Sequence, residues 1–321
     1  MNANQLPPYV EKHLARYPFI PHPKALAVLS ELEFLYAHRQ DTGDAVGERF
    51  AGETNVGKST LMLEMVRRHP PVKHEDGWHH PIVYLHLPER ATLDDVYVEL
   101  LTALGDLVPT YGTLKEKRGR ARTLLTQKKV VFVFIDEPHH LTENRSDGAR
   151  LSTSQLGKVL VDLGLTVVFG GVHSVDELVS ASSELARRFP GRLYLEPYDV
   201  TSARDLETLR GFADDLGARL TRVKPVRFGS DNEWFARLAV LSNGFPGAMA
   251  KVVLQGESRA HQAGANELTL KHFSQAWARF EHSQDLNMKH LRKAKSERLV
   301  NVFELDFDSV AALLGGMVGK E

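Results

Sequence analysis

The chain has 321 residues, of which 42% are apolar and 25% charged, and its formal net charge is −1. This composition is typical of a globular protein with one large or two ordinary domains. The near-zero charge excludes a general attraction to nucleic acid, so any DNA contact has to come from a local patch. The absence of cysteine excludes disulfides and cysteine-ligated zinc.

The N-terminal region has neither the charge pattern of a signal peptide nor an apolar run long enough to span a membrane. We therefore expect a cytoplasmic protein without a membrane partner. Five prolines fall within residues 1–23, which predicts an extended N-terminal arm. From Lys24 to Arg39, apolar residues recur with helical spacing, which predicts a helix that leads into a first strand, Val46–Ala51.

The most informative stretch follows that strand. It is a G-x-x-x-x-G-K-S motif formed by Gly52, Glu53, Thr54, Asn55, Val56, Gly57, Lys58 and Ser59. A helix-period run begins at Thr60 and reaches Arg68. In such a loop the backbone N–H groups and the helix N-terminus surround a phosphate. We expect residues 52–60 to bind ATP, with Lys58 on the β- and γ-phosphates and the Ser59 hydroxyl on Mg²⁺.

A second acidic element completes this pattern. The apolar strand Val130–Ile135 ends in Asp136 and Glu137. At the carboxyl end of a buried strand, Asp136 can hold Mg²⁺ through its water shell, and Glu137 can orient and deprotonate the attacking water. The sequence thus predicts an ATPase with Lys58 and Glu137 as catalytic residues and with Ser59 and Asp136 as metal ligands.

The remaining elements predict two domains. Strands at Ile82–Leu87, Leu165–Gly170 and Arg192–Glu196 alternate with helices, one capped by Thr92 and Asp95 and another running from a Ser174–Glu177 capping box to Arg188. After Thr201 only helices are predicted, at 202–220, 232–242, 247–262 and 269–281, with a sharp turn at Asn243–Gly247. This arrangement indicates a parallel α/β core over residues 24–200 and a helical lid over residues 201–285.

Two segments carry concentrated charge. The first contains Lys115, Lys117, Arg118, Arg120 and Arg122, followed by Lys128 and Lys129. It is either a solvated helix face or a patch for the DNA backbone, and Lys115, Lys117 and Arg118 are expected in a loop beside Gly112 and Gly119. The second segment, residues 286–321, has a basic run (Lys289, Arg292, Lys293, Lys295, Arg298) before spaced apolar residues. It is either a segment that binds a partner or a final helix packed on the lid.

With these motifs the chain resembles the TniB/TnsC family of AAA+ ATPases that regulate DNA transposition. The resemblance covers about residues 20–280. Besides the P-loop it rests on the helix from Pro23, the Ile135-Asp136-Glu137 run with His139, and the helix that closes on Arg187-Arg188-Phe189. It implies a P-loop AAA+ (ASCE) α/β fold: a parallel sheet flanked by helices, with a C-terminal helical lid. It also implies that Arg188 is a catalytic arginine finger for ATP bound in a neighbouring subunit, with Arg187 as the reserve candidate.

The resemblance further implies an ATP-dependent ring or helical oligomer on double-stranded DNA that recruits a transposase and a TniQ-like targeting protein. Two departures predict slow, regulatory hydrolysis. Val172 stands where the family has a polar threonine sensor, with His173 as a possible substitute. Lys251 is the nearest cation to the Gly244–Gly247 turn, where the second sensor region lacks arginine. The alternatives are a helicase-loader or replication-initiator ATPase and a signalling NTPase that binds no DNA.

Overall fold

The computed structural model of the protein describes residues 6–138, 157, 160–161, 163–280, 291 and 299–318. The chain divides into two compact units. The first runs to Leu195, except for Ile20–Lys24 and Thr54–Gly57, which group with the second unit from Glu196 onward. None of the helices in these described ranges is both long and apolar enough to cross a membrane.

The described elements up to Leu195 are given in chain order. They are α1 (Pro8–Arg16), α2 (Pro23–Thr42), β1 (Gly47–Gly52), α3 (Lys58–Arg68), β2 (Val72–His74), β3 (Gly77–His79), β4 (Ile82–His86), α4 (Leu93–Ala103), α5 (Leu114–Gln127), β5 (Phe132–Asp136), β6 (Thr166–Gly171), α6 (Ser174–Ser180), α7 (Ser183–Arg188) and β7 (Gly191–Leu195). β2 and β3 form a small antiparallel hairpin.

Five strands form a sheet in the order β4-β5-β6-β1-β7, and every pairing in it is parallel. Asp136 at the end of β5 is in register with Gly170 of β6, and Ala51 near the end of β1 is in register with Gly171. The carboxyl ends of β1 and β5 therefore reach the same edge of the sheet, with β6 between them. Parallel α/β sheets bind their ligands at this edge. The predicted parallel sheet is confirmed.

Strand β1 lies inside the sheet, between β6 and β7, although it contains two charged residues. Glu48 is 7% exposed, and its backbone neighbour Arg49 donates from its guanidinium to the carbonyls of Gly191 and Pro190. Arg49 also pairs with Asp176 at 3.4 Å. The charge is thus tolerated because the guanidinium is bonded to backbone and carboxylate acceptors rather than left in an apolar core.

The predicted extended arm is wrong for residues 8–16, which form the helix α1. Pro7 is the N-cap residue and Pro8 the first helical residue, a position where the missing N–H costs no intrahelical bond. The helix ends before Pro18, and the side chain of Val10 is fully buried. Clustered prolines bounded this helix instead of preventing it.

The single helix predicted from Ser174 to Arg188 is also wrong. The chain forms two short helices, α6 and α7, and the Ser182 side chain caps the second by accepting from Leu185 N at 3.3 Å. The N-cap residue of α6 is His173 rather than Ser174, and it makes no side-chain cap bond. The Ser174–Glu177 capping box is therefore absent.

The second unit is helical. Its helices are α8 (Ala203–Ala218), α9 (Asn232–Ser242), α10 (Pro246–Gln262), α11 (Leu270–Phe280) and α12 (Phe307–Val318). The first four lie within two residues of the predicted bounds. Their core contains an aromatic cluster in which the Phe273 ring lies 4.9 Å from Trp234 and 5.0 Å from Phe303.

The described part of the C-terminal tail packs within this unit. Arg237 of α9 is 2% exposed and donates to the backbone carbonyls of Val302 and Leu305. Val302 and Val310 are fully buried. For residues 299–318 the structure therefore favours the packed helix over a free binding segment. The basic residues of the run, Lys289, Arg292, Lys293, Lys295 and Arg298, lie outside the described residues.

Candidate nucleotide-binding site

The G-x-x-x-x-G-K-S loop joins the end of β1 to the start of α3. Gly57 has a φ of +109°, a conformation that side chains rarely adopt, and Asn55 has a φ of 69°. The Lys58 ammonium donates to the carbonyl oxygens of Gly52 and Glu53, at 2.9 Å each. Lys58 is only 5% exposed, and burial lowers its pKa while nearby carboxylates oppose that shift. The loop thus holds its lysine among its own backbone acceptors.

The middle of the loop belongs to the second unit, where it meets the Asn243–Gly247 turn. Gly247 N donates to Asn55 O at 2.8 Å, and a Cβ on Gly247 would lie 2.5 Å from that oxygen. Asn243, with a φ of 47°, is the left-handed C-cap of α9. The turn singled out as the second sensor region therefore contacts the loop through backbone, and only glycine fits at position 247.

Asp136 lies at the centre of the polar cluster in the first unit. It is 1% exposed, and its Oδ2 accepts hydrogen bonds from Ser59 Oγ at 2.6 Å and Tyr84 OH at 2.7 Å. Burial alone would raise the pKa of Asp136, but His86 and the two hydroxyl donors outweigh it and lower the pKa below its ordinary value. The side chain is therefore held as a carboxylate.

The same cluster has the chemistry of a Mg²⁺ site. Among the described residues none donates a hydrogen bond to the buried Oδ1 of Asp136. Mg²⁺ prefers oxygen ligands and is usually bound by one or two protein groups together with waters and phosphates. A carboxylate with one unused oxygen beside the Ser59 hydroxyl fits that requirement.

Glu137 follows in an unusual backbone conformation. Its φ is 55°, and its N–H donates to Gly170 O at 2.7 Å. Non-glycine residues rarely occupy this left-handed region, and such positions concentrate at functional sites. The bond to β6 fixes the direction in which the chain leaves the sheet immediately after Asp136.

Sequence reasoning missed four residues around this cluster. Tyr84 and His86 occupy alternate positions of β4, and His86 Nδ1 lies 3.9 Å from Asp136 Oδ2. From α1, the Tyr9 ring stacks on Tyr84, and His13 Nε2 lies 3.2 Å from Thr60 Oγ1. Tyr84 and His86 are polar side chains in an otherwise apolar strand, so the sequence contained a signal for them. It contained none for Tyr9 and His13, because α1 was predicted to be extended.

A family model described as "Bacterial TniB protein" matches residues 11–198, more than half of the chain. The chain belongs to the TniB family. Solved structures support the fold: the Aeropyrum pernix ORC1 protein in complex with DNA has a TM-score of 0.58 and 17% identity, covering 86% of this chain and 68% of its own. The Aeropyrum pernix ORC2 protein in its ADPNP-ADP complexes has a TM-score of 0.58 and 14% identity, covering 85% of this chain and 74% of its own.

Cdc6p from Pyrobaculum aerophilum has a TM-score of 0.57 and 13% identity, covering 82% of this chain and 69% of its own. A comparison with curated protein sequences finds no match. These likenesses show the AAA+ fold, a parallel sheet flanked by helices with a helical C-terminal region, as predicted. At identities this low they carry no argument about activity.

The residue that the TniB/TnsC resemblance assigns as the arginine finger lies at the end of α7. Arg188 Nη2 is 3.8 Å from Glu184 Oε1, and Arg187 beside it is exposed. A Cβ on Gly47 would lie 2.6 Å from Arg188 O and 2.5 Å from the Phe189 ring. Close packing against β1 thus fixes the backbone from which Arg188 projects.

The sensor positions lie just beyond β6. Val172 is half-buried, and His173 is exposed. The His173 ring stacks on Tyr194, with ring centroids 5.6 Å apart and Nε2 3.4 Å from the tyrosine hydroxyl. His173, the residue that the sequence offers in place of the polar sensor, therefore contacts Tyr194 in this structure.

The basic residues of the expected DNA patch are helical, because a capping box of Thr113 and Glu116 starts α5 at Leu114. The expected loop is therefore wrong. Lys117 is 5% exposed and pairs with Asp94 at 2.6 Å. Arg120 pairs with Asp106 at 2.9 Å. Both cations form ion pairs with carboxylates of the same chain. We therefore no longer include Lys117 and Arg120 in the patch.

Three of the five basic residues stay exposed: Lys115, Arg118 and Arg122. Spacings of three and four residues bring them onto one face of α5. We call this set the α5 basic face.

Proposed function

We propose that this TniB-family protein is an ATP-dependent, DNA-binding AAA+ regulator of DNA transposition that hydrolyses ATP slowly. The observation that carries the proposal is that Lys58, Ser59 and Asp136 lie together at the carboxyl edge of the sheet. The TniB family model matches the same chain. Each of these residues has the chemistry that its role requires.

In the proposed reaction the loop from Gly52 to Thr60 binds the phosphates of ATP through backbone N–H groups. Lys58 leaves its carbonyl acceptors for the β- and γ-phosphates. Ser59 and Asp136 would hold Mg²⁺, which when bound would supply positive charge against the phosphates. Glu137 accepts a proton from the attacking water, and Arg188 of a neighbouring subunit stabilises the γ-phosphate charge. Without a threonine at position 172, turnover is slow.

DNA binding by the α5 basic face is the second part of the proposal. A net charge of −1 gives no general attraction to DNA, but Lys115, Arg118 and Arg122 repeated around a ring or helical oligomer present many cations together. The structure of the Aeropyrum pernix ORC1 protein in complex with DNA lends support, because that protein has the same fold. A transposase and a TniQ-like protein are the proposed partners.

A replication initiator or helicase loader is the alternative, because ORC and Cdc6 proteins share this fold. The fold is common to both classes, whereas the TniB family model favours transposition.

Electron microscopy with duplex DNA and a non-hydrolysable ATP analogue tests the proposal. The wild-type protein should assemble into rings or filaments around DNA only when the analogue is present. Lys58→Ala, which removes the cation that faces two phosphates, should not assemble under the same conditions. Assembly of both proteins without nucleotide, or of neither with it, would contradict an ATP-dependent role on DNA.

A further inference from the structure

Asp136 receives a second hydroxyl donor that the P-loop pattern does not account for. Ser59 is part of the motif, but Tyr84 comes from β4, the edge strand beside β5. In the parallel register Tyr84 lies opposite Phe134, two residues before Asp136, on the same face of the sheet. The Tyr84 side chain is 8% exposed, so its hydroxyl bond to Asp136 is shielded from water.

These two donors leave the carboxylate in one orientation. Both hydroxyls bond to Oδ2, and among the described residues Oδ1 has no hydrogen-bond donor. A carboxylate held at one oxygen by two donors is restrained from rotating about its Cβ–Cγ bond. The other oxygen then keeps a fixed direction for a metal-bound water. If Tyr84 were absent, Ser59 would be the one hydroxyl donor left on Oδ2, and Ser59 must also serve the metal.

Helix α1 supports this arrangement at two points. The Tyr9 ring stacks on the Tyr84 ring with centroids 6.0 Å apart and an interplanar angle of 24°. One turn further along α1, His13 Nε2 lies within hydrogen-bond distance of Thr60 Oγ1, at 3.2 Å. Val10, between them, is fully buried. The helix therefore contacts both the strand that carries Tyr84 and the helix that carries Ser59.

We propose that Tyr84 is a positioning residue that orients Asp136 toward Mg²⁺, and that α1 holds Tyr84 in place. This inference rests on the proposed function, since it assumes that the site binds ATP with Mg²⁺. Groups that orient a metal ligand typically change metal affinity by about 10- to 100-fold when removed.

Tyr84→Phe removes the hydroxyl and keeps the ring that Tyr9 contacts. The affinity for a fluorescent non-hydrolysable ATP analogue is measured across a Mg²⁺ titration, and Mn²⁺ binding is measured directly by electron paramagnetic resonance. The Mg²⁺ concentration for half-maximal effect should rise by about tenfold, while the affinity measured with EDTA stays at the wild-type value. Tyr97→Phe, a change to another buried tyrosine in α4, is the matched control and should shift neither quantity.

Deletion of residues 1–17 tests whether α1 holds Tyr84 in place. The deletion should raise the Mg²⁺ requirement in the same direction as Tyr84→Phe, and combining both changes should add little because they act on one bond. If the truncated protein is unstable, Tyr9→Leu with His13→Ala removes the two contacts and keeps the helix.

The outcomes separate this inference from the function on which it rests. A wild-type protein that does not bind the analogue would overturn the proposed nucleotide site, and one whose analogue binding is independent of Mg²⁺ would overturn the proposed Mg²⁺ site. A wild-type protein that needs Mg²⁺, beside a Tyr84→Phe variant with the same Mg²⁺ requirement, would overturn only the positioning role. An equal loss of affinity with and without Mg²⁺ would also overturn it, because that result indicates general damage to the loop.

Discussion

At the residue scale, two adjacent acids are suited to different tasks because their surroundings differ. Asp136 is almost fully buried, which alone would raise its pKa, but His86 and the hydroxyl donors Ser59 and Tyr84 hold that pKa below its ordinary value. Glu137 is only half-buried and has left-handed backbone geometry anchored to Gly170. The first is suited to remain ionised beside a metal. The second is suited to exchange a proton with water.

The first prediction separates binding from turnover. Glu137→Gln should keep ATP affinity and lower the rate of hydrolysis by about 10²- to 10⁴-fold, since an amide cannot accept the proton of water. Lys58→Ala should weaken ATP binding by at least about tenfold, because it removes charge-assisted hydrogen bonds to two phosphates. Fluorescent nucleotide titration and phosphate release measure the two effects. Near-normal turnover by the glutamine variant would remove Glu137 from the catalytic role.

The second prediction concerns Glu48 in β1. Burial raises the pKa of Glu48 from 4.5 to about 7; Glu31 adds to this shift, while the backbone and charge of Arg49 oppose it. The folded state therefore keeps a proton that the unfolded state releases near pH 4.5. The stabilisation by the neutral carboxyl is complete below that pH and is lost as the pH rises through about 7.

Glu48→Gln should keep the neutral group at every pH. Its free energy of unfolding should exceed that of the wild type by about 1 kcal/mol at pH 8, and the difference should shrink toward pH 5. Urea unfolding at a series of pH values measures this. Glu75→Gln, at an exposed position, is the control. A difference between Glu48→Gln and wild type that does not change with pH would exclude Glu48 as the titrating group.

At the element scale, the sequence predicted the elements whose conformation depends on a local residue pattern. The loop from Gly52 to Ser59 and the strand that ends at Asp136 are short motifs whose residues fix both conformation and chemistry. The sequence could not predict α1, because Pro7 and Pro8 suit either an extended arm or a helix N-terminus, and the buried contact of Val10 decides between them. Tyr84 was missed for a related reason, since its bond to Asp136 depends on strand order.

For helix α5, too, the sequence alone could not show which charged side chains are exposed. Five basic residues in eight positions indicated a patch, but Asp94 and Asp106, which neutralise two of them, come from outside the segment. The α5 basic face consists of the cations that stay exposed, and it can be identified only when the helix and its neighbours are known.

The third prediction tests that face. Changing Lys115, Arg118 and Arg122 to Glu should abolish ATP-dependent binding to duplex DNA and leave nucleotide affinity unchanged. The wild type should lose DNA affinity with salt at a slope of about −0.9 for each phosphate neutralised. The matched control changes three exposed cations of the second unit, Arg204, Arg222 and Lys271, to Glu. If the control loses binding and the α5 variant keeps the wild-type salt slope, the DNA contact lies on the second unit.

At the scale of the whole molecule, the proposed role on DNA requires assembly, because the chain is nearly neutral. One protomer offers three clustered cations on α5, which is too few for tight binding at physiological salt. An arginine finger that completes a neighbour's site links ATP binding to assembly, because the subunit contact and the catalytic contact are then the same. Arg188 suits this role: the tight packing of Gly47 against Arg188 O and Phe189 fixes its backbone at the end of α7.

The fourth prediction is that Arg188 acts across a subunit boundary. Arg188→Ala protomers should bind ATP normally but hydrolyse it about a hundredfold or more slowly, since the guanidinium stabilises charge only in the transition state. Arg187→Ala, at the exposed neighbouring position, should stay near the wild-type rate. Equal losses in the two variants would point to a general electrostatic effect of this helix end.

Mixing the inactive proteins decides whether the finger acts in trans. Arg188→Ala protomers keep Lys58, and Lys58→Ala protomers keep Arg188, so one kind of interface in a mixed ring joins two intact halves. At equal concentrations about a quarter of the interfaces should be of this kind, and a corresponding part of the wild-type hydrolysis rate should return. Each protein alone should stay inactive at the same total concentration. Co-assembly of the two variants without any recovered hydrolysis would show that Arg188 does not serve the neighbouring site.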